Sequence, residues 1–219
     1  MNKIRKLLAT LFVPIFAGAT GSAAVAETTP NQQSELAELA GQLRLVVRSH
    51  EAISERDAMM TKLNGPDHSL IRFSLTPSID ALLIADKGMS NMMISKGHLA
   101  DARIDEATAL TTGRRQVLSL LPSLPSAQDV TATGVIVSPT ADYIGSLILA
   151  DGWDQLAAAV EGLLVVAVPS DDRIIVAQVV EGRPIETLQA FVDKEFEEAS
   201  RSVSRALLVR KNGRWIELD

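Results

Sequence analysis

The stretch LLVVAVPSDDRIIVAQVV, residues 163–180, decides the fold class of this chain. Two apolar runs, Leu163–Val168 and Ile174–Val180, stand on either side of the turn Pro169–Asp172. Short runs that are rich in valine and isoleucine and bounded by turn residues are typical of β-strands. The stretch therefore predicts two strands of one sheet, joined by a polar turn.

The segments around these strands predict an α/β (or α+β) lobe with a mixed sheet and flanking helices. The spacing of apolar residues predicts helices over Trp153–Val160 and Pro184–Glu198. Further strands are expected over Val135–Val137, Ile144–Leu149, Ala206–Val209 and Trp215–Leu218. Asn212–Gly213 is a pair that favours a type I′ turn, so a C-terminal β-hairpin is expected.

The first half of the chain predicts a second small lobe of the same class. Helices are expected over Ser34–Arg48 and within Asp101–Leu121, and the polar segment Ala52–Asp67 is interpreted as a loop. Strands are expected over Leu70–Leu75, Ile79–Ala85 and Met89–Ile94. Proline and small residues in Pro122–Gln128 are typical of a linker. These patterns place the lobes at 27–121 and 132–219, with the linker at 122–131.

Residues 1–26 have the pattern of a secretory signal peptide. A basic start precedes the apolar run Leu7–Ala19, and a small-residue segment ends at Ala24–Ala26. This order predicts cleavage between Ala26 and Glu27 and a periplasmic or secreted protein. No other segment is apolar for long enough to span a bilayer, so no stable membrane insertion is expected after cleavage.

The composition excludes several classes of function. Loss of three of the 21 basic residues with the signal leaves 18 against 27 acidic ones, a formal net charge of −9. An acidic surface repels phosphate backbones, so we expect no nucleic-acid partner. The chain has no cysteine, which excludes disulfides, thiolate metal sites and cysteine nucleophiles.

The motifs for metals, nucleotides and serine nucleophiles are also absent from the sequence. His50, His68 and His98 have no close pairing, so no metal site is predicted. There is no P-loop and no G-x-G-x-x-G, and we therefore expect no cofactor. The G-x-S-x-G elbow is missing too, and a serine near one of three histidines is expected by chance.

Four acidic residues could still support general acid–base catalysis. Asp151 and Asp154 flank Trp153, and Asp171 and Asp172 occupy the turn after a strand that is predicted to be buried. Paired carboxylates divide the acid and base roles in many hydrolases. Structural roles explain the same residues, because aspartate caps helices, as Asp151 could, and tolerates turn geometry.

Two tryptophans are conspicuous in a chain with 4% aromatic residues. Trp153 and Trp215 could stack on a ligand, with Asp172 and Arg173 among the polar groups beside them. Large aromatics also bury much area and anchor cores, so packing explains both residues as well. The predicted ligand surface consists of Trp153, Asp172, Arg173 and Trp215.

Part of the second half resembles a known family. Residues 146–149 (SLIL) followed by Trp153–Asp154, residues 164–172 (LVVAVPSDD), residues 204–208 (SRALL) and residues 212–215 (NGRW) resemble the YtpQ-like family of uncharacterised bacterial proteins. The resemblance covers about residues 143–218. It implies an α/β domain and no settled activity, because a shared fold does not transfer a function.

Two functions remain open at this point. The first is an exported, non-enzymatic binding or protein-interaction module that uses the surface near Trp153 and Trp215. The alternative is a carboxylate-dependent hydrolase of cell-envelope material, with Asp151, Asp154, Asp171 or Asp172 as the catalytic acids. The sequence leaves the ligand and the oligomeric state open.

Overall fold

The N-terminal sheet is built around one central strand. The computed structural model describes residues 38–182 and 185–218. Its first four strands are β1 (Leu43–Ser49), β2 (Arg72–Ser74), β3 (Ile79–Asp86) and β4 (Asn91–Met93). Strand β3 pairs with β1 along one side, and with β2 and β4, placed end to end, along the other.

The C-terminal sheet has five strands in the order β5-β7-β6-β8-β9. These are β5 (Val135–Val137), β6 (Leu163–Ser170), β7 (Arg173–Val179), β8 (Leu207–Lys211) and β9 (Arg214–Glu217). The predicted pair of strands over residues 163–180 and the C-terminal hairpin are both confirmed. Each pairing is antiparallel, so this sheet is not the mixed one that we expected.

Helices complete an α/β architecture, and the predicted fold class is confirmed. They are α1 (His50–Asn64), α2 (Lys96–Asp101), α3 (Glu106–Leu118), α4 (Ala127–Thr133), α5 (Trp153–Ala159) and α6 (Ile185–Glu198). Two 3₁₀ segments occupy Pro66–His68 and Ile144–Leu149. Within residues 38–182 and 185–218, no helix is long and apolar enough to cross a membrane.

Three element predictions were wrong for physical reasons. Residues 43–49 form β1 instead of the predicted helix. The sequence was misleading because this strand is buried on both faces, so its apolar residues do not alternate with polar ones. The predicted loop Ala52–Asp67 is largely α1, where Ile53 is the one buried residue and no apolar stripe marks the helix. The expected strand Ile144–Leu149 is a 3₁₀ helix whose six residues are all buried. A uniformly apolar run has no period that separates the two structures.

One hydrophobic cluster receives side chains from both sheets. Leu45 of β1 and Leu83 of β3 belong to the same cluster as Val166 of β6 and Ile148 of the 3₁₀ helix. A hydrogen bond also joins β1 to the 3₁₀ helix, because the N–H of Val47 donates to Ser146 Oγ over 3.2 Å. The predicted linker 122–131 overlaps α4, whose residue Val130 is buried in this cluster.

The opposite face of the C-terminal sheet packs under α6. Leu188 and Val192 of this helix lie against Val165, Ala167 and other alternate residues of the central strands. Because α6 is one helix above five strands, it covers only part of the face. Among the described residues, the part that α6 leaves uncovered lies towards β5, the first strand of the sheet.

Candidate ligand groove

The two tryptophans of the predicted ligand surface lie in the core. Trp153 and Trp215 are both buried and meet edge to face, with ring centroids 5.4 Å apart. The indole N–H of Trp153 donates to the carbonyl of Leu147, and that of Trp215 donates to the carbonyl of Ile148. Their faces and N–H groups are therefore engaged by the protein itself.

Asp151 and Asp154 make ion pairs at the surface. The Asp151 carboxylate accepts from Arg114 over 2.6 Å and its side chain is 91% exposed. Asp154 lies 3.3 Å from the guanidinium of Arg210 on β8. Asp151 does not cap α5, because the cap position is Gly152 and no side-chain hydrogen bond closes that end.

Asp171 is buried between two guanidinium groups. Its Oδ2 lies 3.0 Å from Arg48 Nη1 and 3.0 Å from Arg201 Nε, and its side chain is only 2% exposed. Burial raises the pKa of Asp171, although Arg48 and Arg201 oppose that rise. Burial likewise lowers the pKa of Arg48. This carboxylate ties the β6–β7 turn to the end of β1 and is closed to a substrate.

The four acids do not converge on one cleft. Asp154 contacts Arg210. Arg210 lies beside the start of β6, because Val209, the residue before Arg210, pairs with Val165. Asp171 follows the last residue of β6. At about 3.3 Å per residue, these two ends of the strand are about 20 Å apart. Asp154 and Asp171 are therefore too far apart to act as one catalytic pair.

Asp172 and Arg173 lie together, but away from the tryptophans. Asp172 accepts a hydrogen bond from Ser170, and Arg173 Nη2 donates to Thr140 Oγ1 over 2.9 Å. With Glu195 and neighbouring residues, they line a small polar cavity of about 310 Å³. Trp215 pairs with Arg210 at the other end of β6, so the predicted ligand residues form two separate groups.

The structure also contains an apolar groove that the sequence analysis missed. It has a volume of about 420 Å³ and lies between α6 and the β5 side of the C-terminal sheet. Ligand pockets are typically concave, mostly apolar and about 300–1,000 Å³ in volume. Its lining includes Val135, Gln178, Val179, Thr187, Leu188 and Phe191.

The free edge of β5 forms one rim of this groove. The N–H of Gln178 donates to the carbonyl of Gly134, and the N–H of Ser138 donates to that of Ile174. Because bonding alternates along an antiparallel strand, the N–H and C=O groups of Val135 and Val137 point away from β7. Among the described strands, β7 is the only partner of β5, and Val135 is 42% exposed.

Exposed acidic residues stand close in the sequence to the elements that line the groove. The side-chain amide of Gln178 donates to the main-chain carbonyl of Glu161, which places the segment between α5 and β6 against β7. Glu181 follows β7 closely, and Glu186 precedes Thr187 on α6; both are exposed. We name this surface, made of the β5 edge, the lining residues and these acids, the α6–β5 groove.

The α6–β5 groove has little signal in the sequence. Its residues come from three elements between Val135 and Phe191, and no local motif connects them. The pattern Val135–Ile136–Val137 predicts a strand, but whether that strand is an edge depends on the whole sheet. In the part of the chain that the structure describes, no group of three acidic or histidine side chains could hold a metal ion.

Comparisons with known proteins do not add a functional assignment. The chain matches no family model, no curated protein and no solved structure. The function must therefore be argued from the described residues.

Proposed function

We propose that the protein is a binding module that holds an extended, apolar segment of a partner protein in the α6–β5 groove. One observation carries the proposal: an apolar groove runs beside a strand edge whose outward N–H and C=O groups, at Val135 and Val137, have no strand partner among the described residues.

An added strand satisfies both features at once. Its main chain can pair with the outward groups of Val135 and Val137, and alternate side chains can enter the groove beside Phe191. This is the general mode of β-strand addition, in which main-chain bonds give affinity and side-chain pockets give specificity. A single small apolar ligand would fill the groove but would leave the strand edge unpaired.

Charge restricts the class of partner. Glu181 follows β7 and Glu186 lies in the first turn of α6, and both elements line the groove, so we expect these exposed acids to make this end negative. Complementary charge steers association and suppresses wrong partners. The segment that fits combines alternating apolar residues with lysine or arginine at one end.

The predicted export directs the search for the partner. The signal-peptide pattern of residues 1–26 lies outside the described residues, and it supports a periplasmic or secreted location. We also propose, on the sequence stretches quoted above, that the C-terminal lobe is related to the YtpQ-like proteins. The partner is then an exported or envelope protein.

A peptide library tests this function directly. Residues 27–219 are panned against random 12-residue peptides, and enriched sequences are measured by fluorescence anisotropy. Enriched peptides should alternate apolar residues and carry a positive charge. Thr187→Phe should abolish binding, because Thr187 is exposed and a phenyl ring there fills the groove.

The matched control is Ala190→Phe, which adds the same ring at an exposed position on the same helix but outside the groove. This variant should bind as the wild type does. Equal binding by the Thr187→Phe protein, or enrichment of peptides with no apolar alternation, would contradict the proposal.

A further inference from the structure

A carboxylate, an imidazole and a hydroxyl form a continuous chain at the start of α1. His50 Nδ1 lies 2.8 Å from Asp80 Oδ1, and His50 Nε2 lies 3.3 Å from Ser54 Oγ. Asp80 is completely buried, the His50 side chain is 40% exposed, and Ser54 is half-buried. The chain therefore leads from the interior to a hydroxyl that solvent can reach.

The fold holds each member in place. His50 and Ser54 are one helical turn apart, so they share a face of α1. The register of β1 with β3 places Asp80 opposite Arg48, two positions before His50. The N–H of His50 also donates to the carbonyl of Ser78, which fixes the start of the helix against β3.

The second carboxylate oxygen of Asp80 is paired with an arginine. The guanidinium of Arg72 contacts Asp80 Oδ2 and also lies 3.3 Å from Asp57 Oδ2. Arg72 balances the charge of the buried carboxylate, so that carboxylate does not depend on His50 for a partner. Among the described residues, the Ser54 hydroxyl is hydrogen-bonded to the outer nitrogen of His50.

This arrangement has the roles of a nucleophile, a base and an orienting acid. When Nδ1–H donates to Asp80, Nε2 carries a lone pair that can accept the Ser54 proton. The same order of groups activates serine on several unrelated folds and is recognised by geometry rather than by sequence position. Helix side chains lean towards the N-terminus, so a carbonyl bound at Ser54 would lie on the N-terminal side of that residue. The positive end of the helix dipole on that side favours a developing oxyanion, and Glu51 in the first turn opposes it.

We propose that Ser54 is the nucleophile of a hydrolytic activity towards small carboxylic esters, with His50 as general base and Asp80 as positioning residue. Ser54 Oγ bonds to the ester carbonyl carbon while its proton passes to His50 Nε2. The bond to the alkoxy oxygen then breaks, and His50 returns the proton to the departing alcohol. Water, deprotonated by His50, attacks the acyl-serine; this releases the acid and restores Ser54. The activity is independent of the α6–β5 groove.

The test uses a fluorophosphonate probe on residues 27–219. Such a probe modifies activated serines covalently, and peptide mass mapping should find one adduct, on Ser54. Ser54→Ala should lose the adduct, and Ser119→Ala, which removes another exposed hydroxyl at a helix end, should keep it. Hydrolysis of p-nitrophenyl acetate should fall to the background rate in Ser54→Ala and should be unchanged in Ser119→Ala.

Two further variants separate catalysis from folding. His50→Gln keeps a side chain that can donate to Asp80, so the fold is retained while the labelling rate falls about 100-fold, the lower range for loss of a general base. Asp80→Asn favours the wrong imidazole tautomer, so labelling should be slow across the whole pH range tested. Circular dichroism checks the fold of each protein.

Absence of a Ser54 adduct in the wild type, or equal labelling of the folded His50→Gln protein, would overturn the proposal. Either result leaves the peptide-binding function standing, because that function uses different residues.

Discussion

Trp153 and Trp215 lie edge to face in the core, with their ring planes inclined at 72° and their N–H groups bonded to the adjacent carbonyls of Leu147 and Ile148. An offset or edge-to-face pair is stabilising beyond its buried area. The pair joins the end of the 3₁₀ helix to the C-terminal hairpin. The pair therefore stabilises the fold. Of the two hypotheses drawn from the sequence, this favours core packing over a ligand surface.

Trp215→Ala should lower the free energy of unfolding by about 3–5 kcal/mol, because it empties a buried site and frees the carbonyl of Ile148. Denaturant unfolding followed by circular dichroism measures the change. Ile216→Ala, at the exposed neighbouring residue, is the control and should cost less than about 1 kcal/mol. A Trp215→Ala protein as stable as this control would contradict the buried position.

Arg48→Met should destabilise the protein by about 3 kcal/mol at neutral pH, because it removes one of two cations from a buried carboxylate. The raised pKa of Asp171 means that ionisation of this group opposes folding. That cost is present at high pH and is lost as the pH falls through the raised pKa towards the ordinary value, about 3.9. The destabilisation by Arg48→Met should therefore shrink on acidification. A destabilisation that stays constant with pH would indicate that Arg48 acts by packing alone.

Glu217→Gln should remove a pH-dependent part of the stability. Burial alone would raise the pKa of Glu217, but hydrogen bonds from Ser78 and Thr76 outweigh it and lower the pKa. The stability from this depressed pKa is present above the unfolded value, about 4.3, and is lost as the pH falls through the folded value. Wild type and Glu217→Gln should thus differ near pH 7 and converge once the pH is below the folded value. Glu55→Gln, at an exposed acid of α1, is the charge-matched control and should be as stable as the wild type at pH 7.

A pair of prolines on β5 should separate folding from binding. Ile136→Pro removes an N–H that faces β7 and should cost about 3 kcal/mol or more. Val137→Pro removes an N–H that faces outward, so it should cost less, yet it should weaken peptide binding at least tenfold. Thermal melts and fluorescence anisotropy give the two readouts. Unchanged peptide affinity in the Val137→Pro protein would exclude strand addition at this edge.

Export can be tested on the natural chain. Intact-mass analysis of the envelope and secreted fractions should find a protein that begins at Glu27. Substituting Ala24 and Ala26 with bulky residues should block cleavage, because the processing site requires small side chains. A protein that retains Met1 in those fractions would contradict the predicted processing.

Local turn chemistry explains which elements could be predicted. Asn212 and Gly213 have φ values of 52° and 73°, so both adopt the left-handed conformation that a type I′ turn requires. The turn at Asp171–Asp172 is equally predictable from the sequence, because an apolar run ends sharply on each side of it. Local signals of this kind do not depend on distant residues.

The failures arose where distant residues decide the outcome. Strand β1 is a strand because β3 pairs with it along seven residues, and its own sequence suits a helix as well. The Ser54–His50–Asp80 chain could not be predicted, because Asp80 reaches His50 only through that pairing. The exposed edge of β5 depends in the same way on the order of the whole sheet.

The cluster that both sheets share has a consequence for how the chain can be divided. A cut in the segment 119–126 would leave two fragments, each with half of an apolar interior exposed to water, so neither should fold alone. Mixed together, each fragment would supply the surface that the other needs, and the two should reassemble. For the same reason the intact chain should melt in a single calorimetric transition, since neither sheet can lose its interior without exposing that of the other.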